Sequence, residues 1–161
     1  MKDRSTRLRE RFCTALGRLG VVLLLPGLVM TGSRPAEAQA GNAIIVRSDR
    51  GGYIGQRDQQ ISTLRAQGTR VELHGTCLSS CTMYLSLPNI CVAPSATFGF
   101  HGPSRNGQPL SPADFERRSL AMARHYREPI RSWYLNQARY TVSGYHQMSG
   151  AQLISMGYPS C

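Results

Sequence analysis

Residues 74–85 read HGTCLSSCTMYL. Two cysteines four apart bracket two serines, directly after an alternating stretch, TRVELHG (69–75), that has the pattern of a strand. The reading of this stretch decides the rest. It is a disulfide staple, a metal site, or the turn that presents a nucleophilic serine.

The neighbouring segments place it in a repeating context. NAIIVRS (42–48) is β-branched and reads as a buried strand. DRGGYIG (49–55) is a glycine-rich turn. QRDQQISTLRAQG (56–68) carries Ile61 and Leu64 at helical spacing and stops at Gly68. LSSCTMYLSL (78–87) reads as a second helix, and NICVAP (89–94) and ATFGFHGP (96–103) as two short strands. Strand, helix, strand, helix, strand is the order of an α/β fold with parallel pairing. Beyond the loop SRNGQPL (104–110), Ser111-Pro112 is a helix start with Asp114 in its first turn. Phe115, Met122, Tyr126, Ile130 and Trp133 continue an apolar stripe, which Pro129 kinks or restarts. In MSGAQLISMGYPSC (148–161), Ser149 caps a last short helix and Gly157 ends it.

The first forty residues differ from the rest of the 161. A basic start, the apolar run LGVVLLLPGLVM (19–30) and small residues at Ala36, Ala38 and Ala40 have the order of a secretory signal. The run falls short of the about 20 residues that span a bilayer. The expectation is cleavage after Ala40 or Ala38, with an uncleaved anchor as the rival. One domain, 41–161, is left, with no stable membrane span. Seven of the 19 basic and three of the nine acidic residues lie in 1–40. Twelve arginines then face six acids, which lowers the formal +10 to +6. Such a balance favours a solvated basic face, with binding of anionic envelope polymers as a minor reading. No aromatic-interleaved basic motif points to nucleic acid.

Four cysteines follow the signal: Cys77, Cys81, Cys91 and Cys161. An even number in an exported chain favours disulfides, and three pairings are open. Zinc is disfavoured, because Cys77 and Cys81 lack a second close pair of ligands. For the serine reading, a hydroxyl nucleophile needs a base within reach and donors for the developing oxyanion. Gly51-Gly52 ends the first strand, Ser79 or Ser80 follows the second, and His101 ends a later one. Consecutive strand ends at one sheet edge are where open α/β folds place their sites.

This order resembles the Clp protease proteolytic subunit/crotonase-like superfamily, and more closely its small exported members. Those show a Gly-Gly turn, then C-A-S-A-C, then a strand pair ending G-x-H. The matching pieces are SDRGGYIG (48–55), CLSSC (77–81) and VAPSATFGFHGP (92–103). MSGAQLISMG (148–157) is similar to the family's late helix. The resemblance covers roughly 43–103 and 148–157. It implies a fold of stacked βα units and an exported, periplasmic or extracellular serine hydrolase acting on peptide or acyl substrates. Carried over by position, Ser79 is the nucleophile, His101 the base, and the N–H groups of Gly52 and Ser80 the oxyanion hole. No cofactor or metal is implied. The superfamily commonly self-associates, and the stripe of Phe115, Met122, Tyr126 and Trp133 is the candidate surface for a homo-oligomer, against packing on its own core.

One departure stands out. In the protease branch an acid just before the late helix orients the histidine. Here that neighbourhood reads SGYHQMSG (143–150), and no Asp or Glu follows Glu128. Asp114 and Glu116 are the nearest acids after His101, at a helix start that explains them. A Ser–His dyad, a carbonyl-oriented His101, or a non-catalytic envelope protein that binds peptides or a protein partner are the open alternatives. The preferred disulfide pairing is Cys77–Cys81 with Cys91–Cys161.

Overall fold

The computed structural model describes residues 43–161. The expected signal segment, residues 1–40, lies outside the described residues. Five strands form one mixed sheet: β1 (Ile44–Asp49), β2 (Val71–Leu78), β3 (Ile90–Val92), β4 (Thr97–Phe100) and β5 (His146–Ser149). Helix α1 (Ile54–Ala66) joins β1 to β2, and α2 (Pro112–Ala123), α3 (Ile130–Asn136) and α4 (Gly150–Ser155) fill the C-terminal half. The α/β expectation holds at that level.

Strand β2 organises the sheet. One edge pairs in parallel with β1. The other is shared by two strands in tandem: Val71–Leu73 pairs with β3, and Thr76–Leu78 pairs with Thr97–Gly99 of β4. Between β3 and β4 the chain turns at Ala93–Ala96, closed by the Ala96 N–H on the Ala93 carbonyl at 3.0 Å. Register also shifts between β1 and β2, after Val46. Gly75 sits at that irregularity, where a Cβ would come within 1.9 Å of the Arg47 carbonyl oxygen. Only glycine allows so close an approach, and the bulge re-aims the end of β2.

Several expectations change in detail. β1 is an edge strand, not a buried one: Ile44 and Ile45 are exposed and only Val46 is buried. The segment after β2 is a 3₁₀ helix, Ser79–Ser86, rather than an α-helix. Its residues Ser80–Leu85 are all buried, so no solvent face exists to give it an amphipathic α-helical period. β5 went unforeseen. It pairs antiparallel with β4 over Phe100–His146 to Thr97–Ser149. Its sequence, HQMS, is too short and polar to stand out as a strand.

The helix signals behave as their chemistry requires. The Ser111 hydroxyl accepts from the Asp114 N–H at 3.2 Å, with Pro112 at the first helical position. The apolar stripe does break at Pro129, which caps the separate helix α3. Ser149 and Gln152 form a reciprocal capping box on α4, and Gly157, at φ +95°, ends it. Met122 and Tyr126 are buried, and Trp133 packs against the same core, so this stripe is not a free surface for self-association.

The C-terminus is tied to the sheet. The Val92 N–H donates to the Pro159 carbonyl at 2.8 Å, and the Cys161 N–H to the Val92 carbonyl at 3.1 Å. Cys91 and Cys161 are disulfide-bonded, with Cα atoms 4.8 Å apart. In the chain-entropy description a cross-link over 70 residues stabilises by about 4 kcal/mol. The double variant Cys91→Ser, Cys161→Ser is therefore expected to lose roughly that much stability in urea unfolding. A loss below about 1 kcal/mol would contradict a structural role for this bond.

Candidate active site

The end of β2 runs into a sharp turn at Ser79. Its φ is +56°, in the left-handed region where non-glycine residues rarely sit. Such a conformation costs on the order of 1–3 kcal/mol and persists only where its surroundings over-determine it. Three features do so here. The disulfide Cys77–Cys81 brackets the turn, with Cα atoms 5.3 Å apart. Thr82 Oγ1 donates to the Ser79 carbonyl at 2.6 Å. The same hydroxyl meets the Tyr126 hydroxyl at 2.7 Å, tying the turn to the residues after α2.

The glycine turn after β1 lies directly against this serine. A Cβ on Gly51 would stand 2.6 Å from Ser79 Cβ and 2.8 Å from the Leu78 carbonyl oxygen. Gly51 and Gly52 both take positive φ, +91° and +148°. Their turn is held by groups whose role the sequence did not reveal. Asp49 Oδ1 accepts from the Gly51 N–H at 2.8 Å. Asp49 Oδ2 pairs with Arg57 of α1 at 2.6 Å. The Arg57 guanidinium lies 4.4 Å from the centre of the Tyr84 ring and also donates to the Tyr84 hydroxyl. One acid–arginine pair thus locks the Gly-Gly turn to the 3₁₀ helix that follows Ser79.

Gly52, Ser79 and His101 line one cleft of about 270 Å³, with Met122 and Arg118 contributed by α2. Ser80 is fully buried behind them and borders a smaller hollow shared with Gly51 and Gly52. The structure therefore gathers all four sequence-selected residues at one end of the parallel strands. Ser79 and His101 make no hydrogen bond to each other in this arrangement.

His101 is half-buried at the end of β4. Burial lowers its pKa below the ordinary 6.5, partly offset by the backbone of Gly102. The imidazole is therefore neutral at neutral pH, the form that can accept a proton. Tyr145 packs edge-on against the ring at 5.0 Å between centres. Nδ1 is sealed from solvent and makes no well-formed hydrogen bond. Neither of the nearest acids reaches it: Asp114 pairs with Arg117, and Glu116 with Arg139. Among the described residues no carboxylate orients this histidine; the backbone of Gly102 is the polar group that favours its protonated form.

The zinc alternative fails on positive grounds. All four cysteines of the described residues are bonded in pairs, so none is left as a thiolate ligand. No described helix is long and apolar enough to cross a membrane.

A second histidine does have the partners that His101 lacks. His125 is 5 % exposed. It meets Ser86 Oγ through Nδ1 at 2.8 Å and Asp58 Oδ1 through Nε2 at 3.0 Å. Asp58 also pairs with Arg124 at 2.6 Å, and Arg65 reaches Ser86. The cluster links α1, the 3₁₀ helix and the end of α2. It is a structural clasp.

Burial pushes the His125 pKa below 6.5, against the pull of Asp58. The unfolded chain then takes up a proton first as pH falls. The stability this histidine supports is intact above 6.5 and drains as pH drops through the lower folded value; His101 acts with the same sign. The melting temperature is expected to fall between pH 7.5 and 5.5, less steeply in His125→Gln. An equal slope in the variant would show that the clasp does not carry the effect.

The chain matches no protein-family model and no curated protein sequence, so the cleft's own geometry carries its functional reading.

Proposed function

We propose that this protein is an exported serine hydrolase of the Clp-protease-like kind, acting on peptide or acyl substrates. The observation that carries the reading is the strained Ser79, held at φ +56° at a strand end and facing a cleft shared with His101 and Gly52. Backbone strain of this kind clusters at functional sites. A serine on a sharp strand-to-helix turn has its hydroxyl clear of its own backbone and beside free N–H groups. Two disulfides fit an oxidising compartment, which supports export to the periplasm or cell exterior. The sequence resemblance of residues 48–55, 77–81 and 92–103 to that superfamily supports the same assignment.

In this reading Ser79 Oγ attacks the substrate carbonyl carbon while His101 accepts the hydroxyl proton. The N–H groups of Gly52 and Ser80 receive the developing oxyanion. Collapse of the intermediate expels the leaving amine or alcohol, which takes the proton from His101. Water, deprotonated by His101, then cleaves the acyl-serine and restores both groups. No residue need carry charge at rest, in keeping with a neutral imidazole. Without an orienting carboxylate the turnover is expected to be about 10⁴-fold below that of a complete triad.

A second reading is favoured by one observation, the unpartnered Nδ1 of His101. A protein that keeps the fold and the cleft but binds a peptide or partner without cleaving it needs no orienting group.

A fluorophosphonate probe separates the two. The wild type is expected to label covalently, Ser79→Ala not at all, and Ser80→Ala at a comparable level. His101→Ala should label about 10²- to 10⁴-fold more slowly, the usual contribution of a general base. A folded, oxidised wild type that does not label supports the binding protein instead.

A further inference from the structure

The cleft beside Ser79 continues into a second hollow of about 360 Å³, which shares Tyr53, Ser104, Asn106 and Arg118 with it. None of the residues bordering either hollow is acidic, while Arg118 borders both and Arg105 the second. The outer wall is a tight turn, closed by paired backbone bonds of 2.9 Å between Arg105 and Gln108. Asn106 and Gly107 form its tip at positive φ, +51° and +79°.

Arg118 differs from three nearby arginines that carry ion pairs. Arg117 pairs with Asp114, Arg124 with Asp58, and Arg139 with Glu116. Among the described residues Arg118 has no ion-pair partner. Its Nε is sealed from solvent with no acceptor, and its other nitrogens make no hydrogen bond to a described residue. A half-buried guanidinium short of acceptors, in a cleft without acids, is matched by a ligand that brings two oxygens. Its planar fork fits a carboxylate with two parallel hydrogen bonds.

We propose that Arg118 receives a carboxylate of the substrate, so that the cleft selects peptides or acyl compounds carrying a carboxylate close to the bond offered to Ser79. This substrate class rests on the hydrolase reading for its chemistry. The carboxylate has two sources, a peptide's free C-terminus or an acidic side chain, and both present the same fork-binding group.

The test is equilibrium binding to the full chain carrying Ser79→Ala, which cannot turn over. Three probes are compared: N-acetyl-trialanine as the free acid, the same peptide as its C-terminal amide, and the amide with a central glutamate. At least one acid is expected to bind about tenfold more tightly than the neutral amide. That preference should shrink below about threefold in Arg118→Gln, survive in part in Arg118→Lys, and weaken with salt. The acid that binds better identifies the source. Equal binding of all three probes, no binding by either acid, or a preference unchanged in Arg118→Gln would overturn the proposal. If the acid preference holds but the wild type fails to label with fluorophosphonate, the hydrolase reading falls and the carboxylate site stands. Labelling without acid preference means the reverse.

Discussion

The left-handed backbone at Ser79 is the constraint on which the site depends. A serine does not adopt φ +56° without compensation. Here the compensation is local and covalent. The Cys77–Cys81 bond closes so short a loop that it restrains little of the unfolded chain. Its effect is on the shape of the turn it spans. Thr82 then fixes the Ser79 carbonyl and, through Tyr126, anchors the turn in the core. Gly51 has to be glycine because the turn leaves no room for a Cβ beside Ser79.

Around that turn the fold supplies rigidity from three directions. Asp49 and Arg57 hold the Gly-Gly turn, and Arg57 in turn lies on Tyr84. The bulge at Gly75 aims the end of β2, and β4 brings His101 alongside because it pairs with that same end. The histidine clasp at His125 ties α1 and the 3₁₀ helix to the chain just after α2. The imidazole of His101 is held more loosely, by the edge of Tyr145 and the backbone of Gly102, with no carboxylate behind it. The turn at Ser79 is thus braced on several sides, and His101 beside it by far fewer contacts.

Much of this was legible from residues whose physics is local. Ser111-Pro112, the Ser149–Gln152 box and Gly157 announce helix ends because capping needs only neighbours in sequence. The parallel core was visible as β-branched runs alternating with helical spacing. The cleft residues were visible through their order and a family resemblance, not through any pattern of polarity. What stayed hidden depends on distant partners. Arg57 and Asp49 look like ordinary solvated charges until the fold places Tyr84 beneath them. Ile44 and Ile45 look buried until β1 turns out to be an edge. His125 carries no motif, and its partners Asp58 and Ser86 come from two other elements. The segment after Ser79 is buried from Ser80 to Leu85, so its sequence has no periodicity from which its winding could be read.

The most direct test of the Ser79 turn compares the rate of fluorophosphonate inactivation in the wild type and in Cys77→Ala, Cys81→Ala, with folding of each followed by circular dichroism. If the disulfide-pinned turn presents the nucleophile, the double variant stays folded, since Cys91–Cys161 still clamps the tail, yet labels at least about 100-fold more slowly, as expected when a reacting group is misplaced by about 1 Å. A folded double variant that labels at the wild-type rate would contradict the account, because Ser79 would then be presented without the constraint held responsible for it.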